Sequence, residues 1–331
     1  MTRTARGTAA DDGGPLRRTA RLPAHRRRAG ASLVMVLAAV ATVVSLALGA
    51  AALSRNLRLR TDARAGRAAL RDQAESALAR AAWAIDADTN LVDALSEPWA
   101  ADSARAAAGL AAGGDGVFVV VEDERARLGL PEAGARTLGH LLMRRSTLDE
   151  SEAMGDAAAL LFGLRAAAAG AAGGRPEDGG TNAVLHAEEE LLDLPHSHAD
   201  ALAAALPLLS AHAGDRINVN TVGHDVLVSV ARGHGAAPGG AEGLWRRLER
   251  SRGRGEVFVS DDPAEALKLL QGEGDRPTAE ELEALELVRP ALRVDSGLFR
   301  ITATARRGGV FATVQCVCER GTGRILRWTE F

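Results

Sequence analysis

Between Arg28 and Arg55 the chain carries no charge and no proline, and the run from Ala31 to Leu53 is almost wholly apolar. Its length matches the ~20 apolar residues that a bilayer-spanning helix needs. No proline follows until well past Asp86, and Leu70, Ala74, Leu78, Ala81 and Ile85 recur at helical spacing. The pattern therefore predicts one helix over residues 31–86, ~84 Å long at 1.5 Å per residue, with Gly49 and Gly66 as its bending points. The first half suits lipid, and the second half offers an apolar stripe to a folded domain. A secretory signal peptide is the alternative for the apolar run, because basic residues precede it, but the run exceeds the roughly 7–15 residues of such a segment.

Beyond the helix the period of the pattern shifts from 3.6 to 2. Val117–Val121 (VFVVV) is β-branched and aromatic and is bounded by Gly113, Gly114 and Gly116, which marks a strand. Three more strands are predicted at Leu298–Thr304, Val310–Glu319 and Ile325–Thr329, with Gly308-Gly309 and Gly321-Thr322-Gly323 as hairpin turns. Between the first strand and the last three the pattern is mostly helical, with Ala/Leu-rich stretches at 149–169, 199–212, 224–231 and 242–249 and glycine-rich loops at 171–181 and 233–243. The expected fold class is α+β: a long amino-terminal transmembrane helix packed on a small antiparallel sheet, with a large inserted helical domain. The expected segments are a basic leader (1–30), the span (31–54), a helix and first strand (55–130), the insertion (131–290) and the closing strands (291–331).

Composition narrows the functional classes. The 331 residues are 47% apolar, enough to build a core and to exclude disorder throughout. Residues 1–30 hold eight arginines against Asp11 and Asp12, so the remainder is acidic within a net charge of −3. Six phenylalanines, four tryptophans and no tyrosine leave little for stacking on bases, and an acidic bulk repels phosphate, so no nucleic-acid partner is expected. Cys316 and Cys318 are too few for a four-cysteine zinc site, and their spacing on a strand suits a disulfide poorly. The chain has no G-x-S-x-G elbow, no H-E-x-x-H helix, no P-loop and no G-x-G-x-x-G after a strand, so no catalytic residues are assigned and no enzyme is expected.

The junction Arg26-Arg27-Arg28-Ala29-Gly30, followed at once by the apolar run, resembles the leader of type IV pilins and pseudopilins. In those families a prepilin peptidase cuts after the glycine on the cytoplasmic side. The resemblance makes Gly30 and Ala31 the cleavage site and Ala31 the new amino terminus. Most members carry glutamate at the fifth mature position; here it is Met35, and the minor pseudopilin K of type II secretion characteristically lacks that glutamate. Arg216-Ile217-Asn218-Val219-Asn220-Thr221 is similar to that subclass's INVNTA element. There Asn218, Asn220 and Thr221 would be structural, fixing a tight turn with Thr221 capping the next helix. Val121-Glu122-Asp123-Glu124-Arg125-Ala126-Arg127-Leu128 resembles its DExGRLNLN element, although Gly129 stands where the first asparagine is usual. Glu188–Leu194, leading into Leu206-Pro207-Leu208-Leu209, resembles the approach to the asparagine motif, and Asp295-Ser296-Gly297-Leu298-Phe299 resembles the start of the closing sheet. Some family members bind calcium, so the resemblance leaves calcium open, but the family's aspartate-rich DWRDAD segment is absent here and its following acidic loop is shortened, so no metal ligands are assigned and no other cofactor is expected.

The resemblance implies a single-pass inner-membrane protein with its soluble part in the periplasm. It would join the minor pseudopilins I and J and other pseudopilus subunits, starting and capping the filament that exports folded proteins. Arginines after the span, from Arg55 to Arg71, are nearly as dense as those before it and do not settle orientation. A minor pilin of a type IV pilus shares the leader and helix and remains an alternative. A membrane-anchored DNA receptor is another, because residues 216–270 resemble a helix-hairpin-helix or sterile-alpha-motif-like unit with Gly233-His234-Gly235 at the phosphate-binding turn. That stretch holds eight basic and seven acidic side chains, too even a balance to drive DNA binding. His196-Ser197-His198-Ala199-Asp200 spells H-x-H-x-D, yet Ala201 replaces the next metal-ligating histidine and a solvated loop is expected. Glu188-Glu189-Glu190 and Glu280-Glu281 are expected on solvated helix faces, and Trp83, Trp99 and Trp245 in the core.

Overall fold

The computed structural model describes residues 24–90, 92–130, 132–171, 187–194, 196–260 and 276–331. The chain divides into two compact units, Met1–Ala65 and Gly66–Phe331. Helix α1 (Ala24–Asp86) is unbroken and begins inside the arginine-rich leader, earlier than the apolar pattern predicts. In the first unit residues 32–65 are exposed, including Leu33, Val36, Val43, Leu46 and Leu53.

In the second unit α2 (Pro98–Ala111) leads into β1 (Gly116–Asp123). The insertion follows, with β2 (Leu128–Gly129), α3 (Ala135–Arg145), α4 (Glu150–Ala171), α5 (Ala199–Ala205), β3 (Leu209–Ser210), β4 (Ile217–Asn218), α6 (His224–Gly233), α7 (Pro238–Gly253), α8 (Ala279–Val288) and β5 (Leu292–Arg293). The chain then closes through β6 (Leu298–Arg307), β7 (Val310–Glu319) and β8 (Arg324–Glu330). These three strands and β1 form an antiparallel four-stranded sheet in the order β1-β6-β7-β8. Gly308 and Gly309, at φ 56° and 81°, make the β6–β7 turn in a region closed to most L-residues.

Side chains alternate across a strand, so Phe299, Ile301, Ala303 and Ala305 share one face with Val314, Cys316 and Cys318. That face packs against Leu70, Ala74, Ala77, Leu78 and Ile85 of α1. The alanines on both sides allow a close approach of helix to sheet. The exposed edge of β1 is covered by α2: Ser103 Oγ accepts the Val121 N–H at 2.7 Å while donating to the Trp99 carbonyl at 2.6 Å. Trp99 meets Phe299 edge-on at 5.6 Å.

The insertion has its own core of Leu130, Leu138, Leu141, Leu142, Leu160, Leu191, Leu202, Leu227 and Leu248. Fully burying each such side chain contributes roughly 1.5–3 kcal/mol before entropy is counted. Parallel pairs β2–β3 and β4–β5 stitch the ends of the insertion, a feature too short to leave a sequence pattern. The helix expected over 199–212 is corrected: α5 stops at Ala205, and a 3₁₀ turn containing Pro207 leads into β3. Proline has no N–H to continue the helical ladder. The 242–249 stretch is longer than its pattern, because Pro238 starts α7 and its capped end lies at Arg254.

Candidate functional site

Two places concentrate the residues singled out by sequence. In the first unit the Gly30–Ala31 junction lies within α1. Met35 is 73% exposed among the equally open Leu33, Val34, Val36 and Leu37. Helix α1 is the one helix among the described residues long and apolar enough to cross a bilayer.

The second place is a buried polar node where the insertion meets the sheet. Asn218, in β4, is fully buried. Its amide nitrogen donates to the Asp93 carbonyl at 2.9 Å and to Asp123 Oδ2 at 2.7 Å, and its oxygen accepts the Asn220 N–H at 2.9 Å. Asn220 pairs with Phe258 as a strand would, accepting its N–H and donating to its carbonyl, both at 2.9 Å. Thr221 is corrected from its expected role. Helix α6 is preceded by Gly223 with no side-chain cap, and the Thr221 hydroxyl instead donates to Asp123 Oδ2 at 2.5 Å. The turn through Asn218 and Asn220 points Thr221 back to the end of β1 and away from the helix.

Asp93 completes the node. Its carboxylate takes a two-pronged ion pair from Arg320, at 2.6 and 2.9 Å, and the Ser296 N–H at 2.6 Å. Arg320 also lies over the Phe299 ring at 5.6 Å. Burial pushes the Asp123 carboxyl up to about 7, outweighing its hydrogen bonds from Ser296, Thr221 and Asn218, and the nearby Asp93 charge adds to the rise. Asp123, Asn218, Thr221 and Ser296 sit in strings that the family resemblance picks out. Asp93 and Arg320 carry no local signal, since only folding brings positions 227 residues apart together.

Beside this node runs a buried charge chain that corrects the solvated reading for Glu188, while Glu189 and Glu280 are exposed as expected. Arg300 donates to Glu124 at 2.9 and 2.6 Å and to Glu188 at 2.5 Å, and Arg327 reaches Glu188 at 2.5 Å. Glu124 is 0% and Glu188 2% exposed. Burial alone would push Glu188 up, yet Arg300 and Arg327 hold it below the usual carboxylate range. Burial likewise pulls the Arg300 guanidinium down, but Glu124 and Glu188 more than reverse it. Glu281 is also engaged: it closes a capping box with Thr278 at the start of α8 and accepts from Arg247 at 2.6 Å. Gly129, where the family pattern has asparagine, has no room for a side chain, because a Cβ there would overlap the carbonyls of Ala213 and Gly214.

The competing motifs resolve into packing. His198 Nδ1 lies 2.9 Å from Asp156 Oδ2, and the Ser197 and His198 N–H groups donate to the same carboxylate, so the H-x-H-x-D loop is tied down through Asp156. In the hairpin of α6 and α7, Arg232 donates to the Ala236 carbonyl, and Arg252 donates to the carbonyls of Val222 and Val219, turning both inward. Burial pulls the Arg252 guanidinium down to about 10. Trp99 and Trp245 are half-buried against the two cores, while Trp83 is 74% exposed, a correction to its expected place. Among the described residues no three His, Cys, Asp or Glu converge as a metal site.

No protein-family model matches the chain, and no curated protein matches it. It is similar to a chain in the crystal structure of the GspK-GspI-GspJ complex from the enterotoxigenic Escherichia coli type 2 secretion system. The identity is 15%, the alignment covers 78% of this chain and 94% of that chain, and the TM-score is 0.49.

Proposed function

We propose that this chain is a minor pseudopilin of the K kind, a non-catalytic assembly subunit of a type II secretion system. The observation that carries the reading is the arginine-glycine junction Arg26–Gly30 abutting an apolar run in the same unbroken helix whose later residues pack on an antiparallel sheet. In this reading the prepilin peptidase cuts between Gly30 and Ala31, α1 anchors the protein in the inner membrane, and the folded unit lies in the periplasm. It assembles with minor pseudopilins I and J at the tip of the pseudopilus.

Two physical points favour the tip. A fifth-position glutamate needs a cationic amino terminus from a neighbour to lower the cost of a charge in lipid, and Met35 makes no such demand. The insertion between β1 and β6 adds bulk that a repeating shaft has no room for, whereas an end has open space. Calcium is not part of the proposal, and neither is a nucleic-acid partner.

The test is mass spectrometry of the chain expressed in full with a prepilin peptidase. The expected result is an amino terminus at Ala31 in the original chain and an uncut, full-length Gly30→Glu variant. A terminus near Ala50–Ala52 in a soluble product would identify an ordinary signal peptide and overturn the reading.

A further inference from the structure

The first unit carries a charge pattern that the assembly reading does not use. Just past the apolar run, α1 presents Arg55, Arg58, Arg60 and Arg64, all exposed, against a single acid, Asp62. Among the described residues none of these four arginines has an ion-pair partner, although Arg71 further along the helix pairs with Glu75 and Glu330. At 3.6 residues per turn Arg55 and Arg58 lie on one side of the helix, and Arg60 and Arg64 on the opposite side. The charges therefore form a collar. A single neighbouring helix would be met by a stripe on one face, whereas a collar meets something that surrounds the helix at one height.

We propose that this collar is a docking surface for the phosphates of anionic phospholipids in the leaflet nearer the folded unit. It rests on the span proposed for α1 and not on the identity of the filament. Arg55 lies two residues beyond Leu53, the end of the apolar run. The headgroup layer on each side of a bilayer is roughly 5–8 Å deep, and the arginine stems are long enough to lie along apolar surface while the guanidinium reaches it. At 1.5 Å per residue Arg55 and Arg58 fall at that height, roughly 3 and 8 Å beyond Leu53, Arg60 lies about 2–3 Å above the layer within reach of its long stem, and Arg64 stands about 8–9 Å above it, within about a Debye length of the phosphates. Guanidinium matches a phosphate with paired N–H donors, so the preference is for headgroups whose phosphate charge is not cancelled by an ammonium.

The test uses the full chain in phosphatidylcholine vesicles containing a trace of spin-labelled phosphatidylglycerol or, separately, spin-labelled phosphatidylcholine. The motionally restricted fraction reports which lipid contacts the protein. A preference of about five-fold for phosphatidylglycerol is expected, the effect of one basic side chain's attraction to the surface. It should fall towards one in a variant with Arg55, Arg58, Arg60 and Arg64 all replaced by Gln, be reduced but not lost when all four are replaced by Lys, which keeps the charge without the paired donors, and weaken in high salt. Equal restriction of the two lipids by the original chain, or a preference unchanged by the Gln variant, would overturn the proposal. So would loss of a protein partner from membranes in the Gln variant while lipid preference is absent throughout. Extraction of the chain from the vesicles by alkaline carbonate would defeat the span itself, which separates that failure from failure of the collar.

Discussion

Replacing Asn218 by alanine tests whether the buried node holds the insertion to the sheet. The substitution leaves three groups short of a partner: the Asp93 carbonyl, the Asp123 carboxylate and the Asn220 N–H. Each buried polar group so orphaned costs about 1–3 kcal/mol. Asp123 keeps the donors from Thr221 and the Arg125 N–H, which places its share at the low end. The expected loss is therefore about 3–5 kcal/mol, enough to consume much of an ordinary domain's stability. The measurement is a urea titration of the full chain in detergent, followed by tryptophan fluorescence. The midpoint should fall at unchanged slope. Asn56→Ala, on the exposed part of α1, is the control and should shift stability by no more than about 0.5 kcal/mol. A loss below about 1 kcal/mol for Asn218→Ala would show that the amide is not bonded as described, because a single unmade buried hydrogen bond already exceeds that.

Three other outcomes are expected. Since Asp123 is raised from 3.8 to about 7, the folded state keeps a proton that the unfolded chain has released, so its contribution to stability falls by about 4 kcal/mol as pH rises across that interval. Asp123→Asn should remove that decline from urea titrations at a series of pH values, and equal pH dependence in the two proteins would exclude a buried Asp123 proton. Arg300→Met leaves Glu124 and Glu188 buried without their shared cation and should cost about 3–5 kcal/mol, with partial recovery when Glu124→Gln is added; full stability in the single variant would contradict the charge chain. If the proposed assembly holds, Met35→Glu should weaken co-purification of minor pseudopilins I and J from membranes, or leave it unchanged if the carboxyl is protonated; stronger assembly with the protein spread along the filament would overturn the proposed tip position.

The features that read directly from sequence are those with a local physical cause. An apolar run without proline becomes α1 whatever surrounds it, and β-branched alternation punctuated by Gly308-Gly309 and Gly321-Thr322-Gly323 places β6, β7 and β8 within a few residues. Asn218, Asn220 and Thr221 stand out in the sequence because the string they occupy resembles a family element; local rules alone do not mark them. Their partners are another matter. Thr221 reads as a helix cap because local rules consider only the helix ahead of it, and its actual acceptor, Asp123, lies 98 residues earlier. Glu188 sits in a run of acids that any composition rule assigns to solvent. Only the arrival of Arg300 and Arg327 from the closing strands makes its burial tolerable. Asp93 and Arg320 are the clearest case, since neither stands in a motif and each alone would be an ordinary surface charge. Secondary structure follows from interactions a few residues apart and was set by the sequence pattern. The pairing of buried charges depends on which distant segments the two cores bring together, and that was decided by the tertiary structure.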